Sequence, residues 1–271
     1  LIQENPDWLL VYGDTNSTLA GALAAKKLHI KVAHVEAGLR SFNMNMPEEI
    51  NRILTDRISN VLFCPTNNAI SNLEKEGFDN FNCKIINVGD IMLESALFYK
   101  KESKDISTQV NSYVLATVHR EENTDNKFRL EKIFEALNEI HEKINVVLPL
   151  HPRTKNKLAE YNIKTDIKLI DPLGYLDMIS LIDNSDAVIT DSGGLQKEAY
   201  FFEKKCFTLR DETEWVELIE NNCNYLIDVS KDEISNKILS LMKTEFSFPS
   251  NIYGKGNSSN LILNALINYG E

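Results

Sequence analysis

Short apolar runs alternate with amphipathic segments along the whole chain, a pattern that predicts a series of strand–helix units. Trp8 to Tyr12 is a near-continuous apolar run, as a strand buried on both faces requires. Asn16 to Lys27 follows with helix formers, and Lys31 to Val35 reads as the next strand. After a loop, Pro47 opens a helix with Glu48 and Glu49 in its first turn, where carboxylates suit the helix dipole. Val61 to Cys64 reads as a strand and Asn67 to Gly77 as a helix closed by its glycine. Ile85 to Val88 and Ile91 to Lys100 complete this series as a strand and a helix.

Lys101 to Thr108 is charged and polar without an apolar period, so it predicts a linker. Strand patterns resume at Tyr113 to Val118, Val146 to Leu150, Ile167 to Ile170, Ala187 to Thr190, Cys206 to Leu209 and Tyr225 to Ile227. Amphipathic segments such as Lys127 to Lys143 and Tyr175 to Asn184 lie between them, and a helix from Ser259 to Tyr269 follows a Gly254-Lys255-Gly256 turn. Repeated βα units with short loops predict an α/β protein with parallel sheets covered by helices on both sides. The break near Lys101 divides it into two doubly wound, Rossmann-like domains, residues 1–100 and 109–255. Residues 256–271 are expected to form a C-terminal helix packing back on the first domain.

Composition narrows the function more than the fold. Hydrophobic residues make up 43% and charged residues 25% of 271, the mix of a globular protein with ample core rather than a disordered chain. No apolar run approaches the roughly 18 residues of a membrane helix. The formal charge of -11, from 40 acids against 29 bases, repels a phosphate backbone and argues against nucleic-acid binding. It leaves room for a local basic pocket that holds one nucleotide. Cys64, Cys83, Cys206 and Cys223 are scattered without CxxC spacing, which points to a reducing, cytoplasmic setting and against a zinc site.

In parallel sheets of this kind ligands bind beyond the carboxyl ends of the strands, and here those positions are polar. Asp191-Ser192-Gly193-Gly194 leads from a strand into a helix, so backbone N–H groups and a helix N-terminus could cradle a phosphate. An ordinary glycine-rich turn would leave the same trace. The segment is neither a Walker A loop nor G-x-G-x-x-G. Glu198, further along the helix, could accept from ribose hydroxyls or simply be solvated. His119-Arg120 offers a titratable donor and a fixed fork to a diphosphate, and His151-Pro152-Arg153 repeats the arrangement. His29 and His141 read as surface residues. The first half contributes acids instead: Asp14 and Glu36 at strand ends and Glu48 at a helix start. Singly, each reads as a cap or a loop residue. Converging, they suit general acid–base chemistry, where crowding raises some pKa values toward neutrality.

Seven segments in register resemble the non-hydrolysing UDP-N-acetylglucosamine 2-epimerase family over nearly the whole chain. They are Val11-Tyr12-Gly13-Asp14-Thr15, His34-Val35-Glu36-Ala37-Gly38-Leu39-Arg40, Pro47-Glu48-Glu49-Ile50-Asn51-Arg52, Val118-His119-Arg120-Glu121-Glu122-Asn123, Leu150-His151-Pro152, Asp191-Ser192-Gly193-Gly194-Leu195-Gln196-Lys197-Glu198, and Arg210-Asp211-Glu212-Thr213-Glu214. The resemblance implies a GT-B-like arrangement of two domains. It also implies inversion of C2 in a UDP-HexNAc by elimination of UDP to a glycal and re-addition, with no metal, nicotinamide or other cofactor. Asp14, Glu36 and Glu48 match the family acids that handle the C2 proton, and Arg52 would orient Glu48. His119 would stabilise the departing diphosphate, held by Ser192, Gly193 and Gly194. Glu198 matches the ribose-binding residue, and Arg120 and Tyr175 are expected to contact UDP. Glu49, Arg120 and His151 match positions implicated in binding a second, activating UDP-sugar. The family also implies a homodimer.

Two departures qualify the resemblance. Trp215 stands where many members carry a substrate-facing arginine. The Asp211-Glu212-Thr213-Glu214-Trp215-Val216-Glu217 form looks like a subgroup that includes epimerases of modified sugars such as UDP-2,3-diacetamido-glucuronate. Members also carry further βα units before the Gly-Asp-Thr strand, so the first domain is expected to be N-terminally short. The same fold and cradle would serve a GT-B glycosyltransferase or an inactive UDP-sugar-binding fragment.

Overall fold

A computed structural model describes residues 1–103, 110 and 112–270 of the chain. Its contacts divide into two compact units, Leu1–Ser95 with Ser250–Glu271, and Ala96–Pro249. Of the expected linker, residues 104–108 lie outside the described part. No helix among the described residues is long and apolar enough to cross a membrane.

The first unit runs β1 (Trp8–Tyr12), α1 (Asn16–Lys27), β2 (Lys31–Val35), α2 (Pro47–Ile58), β3 (Val61–Cys64), α3 (Asn67–Lys75), β4 (Lys84–Asn87) and the start of α4 (Ile91–Lys100). Its four strands are all parallel and lie in chain order. Alternating strand residues face opposite sides, and each side meets a helix. Leu9, Val11 and Val32 pack with Ala22 and Ala25 of α1. Leu10, Ala33, Val35 and Phe63 pack with Ile262, Ala265 and Leu266 of the C-terminal helix (Ser258–Ile267). Gly89 and Gly254 let that returning segment dock closely: a Cβ on Gly89 would lie 2.7 Å from the Tyr253 carbonyl oxygen.

The second unit runs β5 (Tyr113–Thr117), α5 (Glu121–Thr124), α6 (Lys127–His141), β6 (Asn145–Pro149), α7 (Pro152–Tyr161), β7 (Lys168–Ile170), α8 (Tyr175–Asn184), β8 (Ala187–Thr190), α9 (Gly193–Phe201), β9 (Lys205–Thr208), α10 (Val216–Glu220), β10 (Asn224–Leu226) and α11 (Ile234–Met242). The C-terminal helix of the first unit is then α12. The six parallel strands lie in the order β10-β9-β8-β5-β6-β7, so the winding reverses between β5 and β8. That is the doubly wound arrangement, with its crevice at the reversal. Val114, Ala116, Val146, Leu148 and Ile189 pack with Leu130, Phe134 and Leu137 of α6 in one continuous core.

Several boundaries differ from the sequence expectation by a residue or two. One difference matters: α9 begins at Gly193 itself, so the two glycines form its first turn and Ser192 is its N-cap. The amides of a helical first turn have no partner within the helix, so the N–H groups of these glycines are open to a ligand. His141 is not a free surface residue either, because its Nδ1 accepts the Val146 N–H at 2.9 Å and ties the end of α6 to β6.

Candidate functional site

The chain after β5 and the chain after β8 meet where the winding reverses, and Asp191 joins them. Its buried carboxylate accepts the backbone N–H of His119 at 3.1 and 3.0 Å, that of Arg120 at 2.9 Å, and Asn123 Nδ2 at 3.2 Å. The His119-Arg120 turn is thereby fixed over the end of β8. A pocket of about 300 Å³ opens there, lined among others by His119, His151, Met178, Ser192, Gly194 and Glu198. The His119 and His151 rings are 5.5 Å apart. Burial pushes the His119 pKa below its ordinary value; Asp191, 3.4 Å from Nδ1, opposes that, while His151 and Arg120 reinforce it.

His151 caps α7, its Nδ1 accepting the Arg153 N–H at 3.2 Å, so its neutral form carries the proton on Nε2. Arg153 is spent on ion pairs with Glu121 and Asp125. Glu198 is only 7% exposed, which removes the solvated reading. Tyr175 is hydrogen-bonded to it, and its phenol is pushed up to about 12 by burial and then by the Glu198 charge. It therefore keeps its proton and donates to the carboxylate.

The first turn of α9 is braced from behind. Trp215 Nε1 donates to the Gly193 carbonyl at 3.0 Å, and Gln196 Nε2 to the Ser192 carbonyl at 3.1 Å. The Ser192 N–H is taken by Thr190 Oγ1 at 2.9 Å. With its carbonyls held, the turn presents its free amides and positive dipole end to an anion. Trp215 is 3% exposed, and the fully buried Lys197 lies with Nζ 4.1 Å from the indole centre. Arg210 pairs with Glu214 at 3.2 Å, and a Cβ on Gly193 would fall 2.8 Å from Glu214 Oε1 and 3.6 Å from Arg120 Nη2. A side chain there would displace the Glu214 carboxylate.

In the first unit, Asp14 follows β1, Glu36 follows β2, and Glu48 lies in the first turn of α2. A Cβ on Gly13 would lie 3.4 Å from Glu36 Oε2, so the Glu36 carboxylate stands beside the Gly13-Asp14 turn. Glu36 has φ +75, a left-handed conformation that costs a non-glycine residue on the order of 1–3 kcal/mol. Its N–H and that of Ala37 both reach the Phe63 carbonyl at 3.1 Å, which holds the strained turn.

Arg52 departs from expectation. Its guanidinium donates to Asp14 Oδ2 at 2.5 Å and to Glu49 Oε2 at 3.2 Å, rather than orienting Glu48. Glu49 and Arg52 share the buried face of α2, whereas Glu48 is only half-buried. Glu49 is also not available to a second ligand. It is fully buried and accepts the Ser41 N–H and the Phe42 N–H at 2.9 Å and Ser41 Oγ at 3.0 Å, which anchors the loop before α2.

Comparison with known proteins adds a lineage to this geometry. Residues 1–267 match the family model described as UDP-N-acetylglucosamine 2-epimerase. The chain belongs to that family. It is 52% identical over 266 residues to the UDP-2,3-diacetamido-2,3-dideoxy-D-glucuronate 2-epimerase of Pseudomonas aeruginosa, covering 97% of this chain and 75% of the relative. Among solved structures, the Methanocaldococcus jannaschii UDP-GlcNAc 2-epimerase in complex with UDP-GlcNAc and UDP matches with a TM-score of 0.88 and 42% identity, over 100% of this chain and 78% of that one. The S. aureus MnaA–UDP structure matches with a TM-score of 0.88 and 32% identity, over 99% and 75%. This chain therefore spans about three-quarters of the length of these epimerases.

Of the pocket lining, His119, His151, Ser192, Gly194 and Glu198 are legible in the sequence, whereas Pro172, Leu173 and Met178, and the residues that brace the site, are not. Asp191, Gln196 and Trp215 were visible as motif letters, but nothing in a single sequence says that Trp215 reaches back to Gly193 across 22 residues. The buried pairing of Asp56 with His34 and Arg40 was equally hidden, since its members come from β2, the loop after it and α2.

Proposed function

We propose that this chain inverts C2 of a UDP-linked 2-acetamido sugar, a UDP-HexNAc such as UDP-N-acetylglucosamine. A carboxylate removes the C2 proton, the C1–O bond breaks with its electron pair leaving on UDP, and a C1=C2 glycal forms. UDP then adds back to C1 while C2 is protonated from the opposite face. Atoms and charge balance without a change of oxidation state.

The observation that carries this reading is the open first turn of α9, braced by Trp215 and Gln196, beside His119 in one pocket. Such a turn, already aligned, stabilises charge that develops on a departing diphosphate, often the largest catalytic contribution. In this reading Ser192, Gly193 and Gly194 bind the diphosphate with Arg120, and His119 donates to it. Glu198, oriented by Tyr175, accepts from the ribose. Asp14, Glu36 and Glu48 carry the proton traffic, with Arg52 holding the Asp14 carboxylate in place.

The identity of 52% to the Pseudomonas enzyme, and the turning of Trp215 toward Gly193 rather than into the pocket, favour a second reading of the sugar as UDP-2,3-diacetamido-2,3-dideoxy-D-glucuronate. Cytoplasmic location and a homodimer fit an enzyme drawing on soluble UDP-sugars; light scattering at a dimer's mass supports the latter and a monomer's mass opposes it. Incubation of each sugar in deuterated solvent tests the reaction. Deuterium should enter C2 of one or both sugars, and the 2-epimer should accumulate. Asp14→Asn should slow that exchange by roughly 100- to 10,000-fold with UDP affinity unchanged. Absence of exchange with every 2-acetamido UDP-sugar tried would refute the proposal.

A further inference from the structure

His34, in β2, is fully buried and belongs to no part of the reaction described so far. Its Nδ1 lies 2.7 Å from Asp56 Oδ1 and its Nε2 lies 2.8 Å from the Gly13 carbonyl oxygen. A carbonyl only accepts, so Nε2 must donate. Asp56 is held as a carboxylate by two further donors on Oδ2, Arg40 Nη1 at 2.7 Å and the Gly38 N–H at 3.2 Å, so Nδ1 must donate as well. The ring therefore carries both protons. Arg40 continues to Glu76 through Nε at 2.6 Å and Nη2 at 2.8 Å. Imidazolium, carboxylate, guanidinium and carboxylate alternate along this line and sum to zero, the condition under which buried charges persist. Glu36, at the end of the same strand, adds its negative charge on the side of the ring facing the Gly13 turn.

The Gly13 end of this line is the mechanically sensitive one. Gly13 has φ +63, and its N–H donates to the Val35 carbonyl at 3.1 Å. The His34 bond fixes the other side of the same residue, so the peptide joining Gly13 to Asp14 cannot turn about the glycine. Asn51 Nδ2 donates to the Asp14 carbonyl at 2.9 Å, which completes the orientation. We infer that His34 is a positioning residue: a buried imidazolium that aims the Asp14 carboxylate by gripping the Gly13 carbonyl. This rests on the proposed role of Asp14 in the proton transfer.

Two substitutions separate the grip from the charge. His34→Gln places an amide nitrogen near the Nε2 position and can keep the bond to Gly13, while His34→Asn places one near Nδ1 and can keep only the bond to Asp56. Both remove the same buried charge and share its cost to stability. The expected result is a kcat lower in His34→Asn than in His34→Gln by on the order of 10- to 100-fold, with KM and UDP affinity alike in the two. Equal kcat values, or a loss that appears in KM, would overturn the inference. Asp14→Asn run alongside separates the two levels: if it turns over like the wild type, the role of Asp14 fails and this inference with it. If it is inactive while the His34 variants match each other, only the role of His34 fails. Should either variant not fold, long-range proton–nitrogen NMR of the intact wild-type chain decides. Both His34 ring nitrogens should stay protonated above the ordinary imidazole range; a neutral ring with one bare nitrogen there would overturn the inference.

Discussion

At the scale of residues, the two deciding histidines are both desolvated by burial, yet they end on opposite sides of their ordinary pKa because their partners differ. Burial disfavours the charged form of both, yet His34 ends above its ordinary pKa because Asp56 and Gly13 accept from both nitrogens. His119 ends below it, because burial outweighs Asp191, 3.4 Å from Nδ1, and His151 and Arg120 add positive charge. A depressed His119 is neutral at pH 7 and becomes charged only as pH falls through its lowered value. A bound diphosphate favours the charged form, so by linkage a UDP-sugar should bind more tightly as pH drops below about 6.5. The diphosphate of a UDP-sugar has no terminal monoester to titrate there, so the slope belongs to the protein. Calorimetric titration from about pH 7.5 to 5.5 should show it, and His119→Asn should flatten it. An unchanged slope in that variant would remove His119 from the effect.

At the scale of elements, α9 shows why one feature can be legible and its support hidden. The Ser192-Gly193-Gly194 string announces a strand-to-helix turn, and the acids Asp14 and Glu36 announce themselves by following apolar runs. What braces the turn is an indole from the segment before α10, brought close only when β9 pairs with β8. Helix α7 carries a weak sequence pattern, because Pro152 to Tyr161 is mostly polar and buries only Thr154 and Leu158. Arg52 pairs with Glu49 rather than the expected Glu48 because spacing along a helix gives two acids within reach, and only the buried face decides between them. The brace on α9 is measurable. Trp215→Phe keeps an aromatic face for Lys197 but deletes the donor to Gly193, a loss worth about 1 kcal/mol. UDP affinity should fall about fivefold with kcat nearly preserved, as isothermal titration and steady-state rates would show. An unaltered affinity would mean that the turn holds its shape without Trp215.

At the scale of the whole molecule, a chain of charge -11 is proposed to bind a doubly charged nucleotide, so local and global electrostatics oppose each other. Distance decides the contest. At about 0.1 M salt the screening length is roughly 10 Å, so the scattered surface acids are largely muted, while hydrogen bonds from the α9 amides and His119 act at contact. The free energy of UDP binding should therefore appear as stability of the folded chain with little dependence on added salt. At a hundredfold excess over its dissociation constant, UDP stabilises the state it binds by about 2.7 kcal/mol. In a unit the size of the second one, that raises the unfolding midpoint by very roughly 5–10 °C. Differential scanning calorimetry across UDP concentrations at about 0.1 and 0.3 M salt should show this rise, similar at both. A midpoint indifferent to UDP would remove the nucleotide from the second unit. A rise that collapses at the higher salt would mean that long-range attraction, rather than the braced turn of α9, holds the diphosphate.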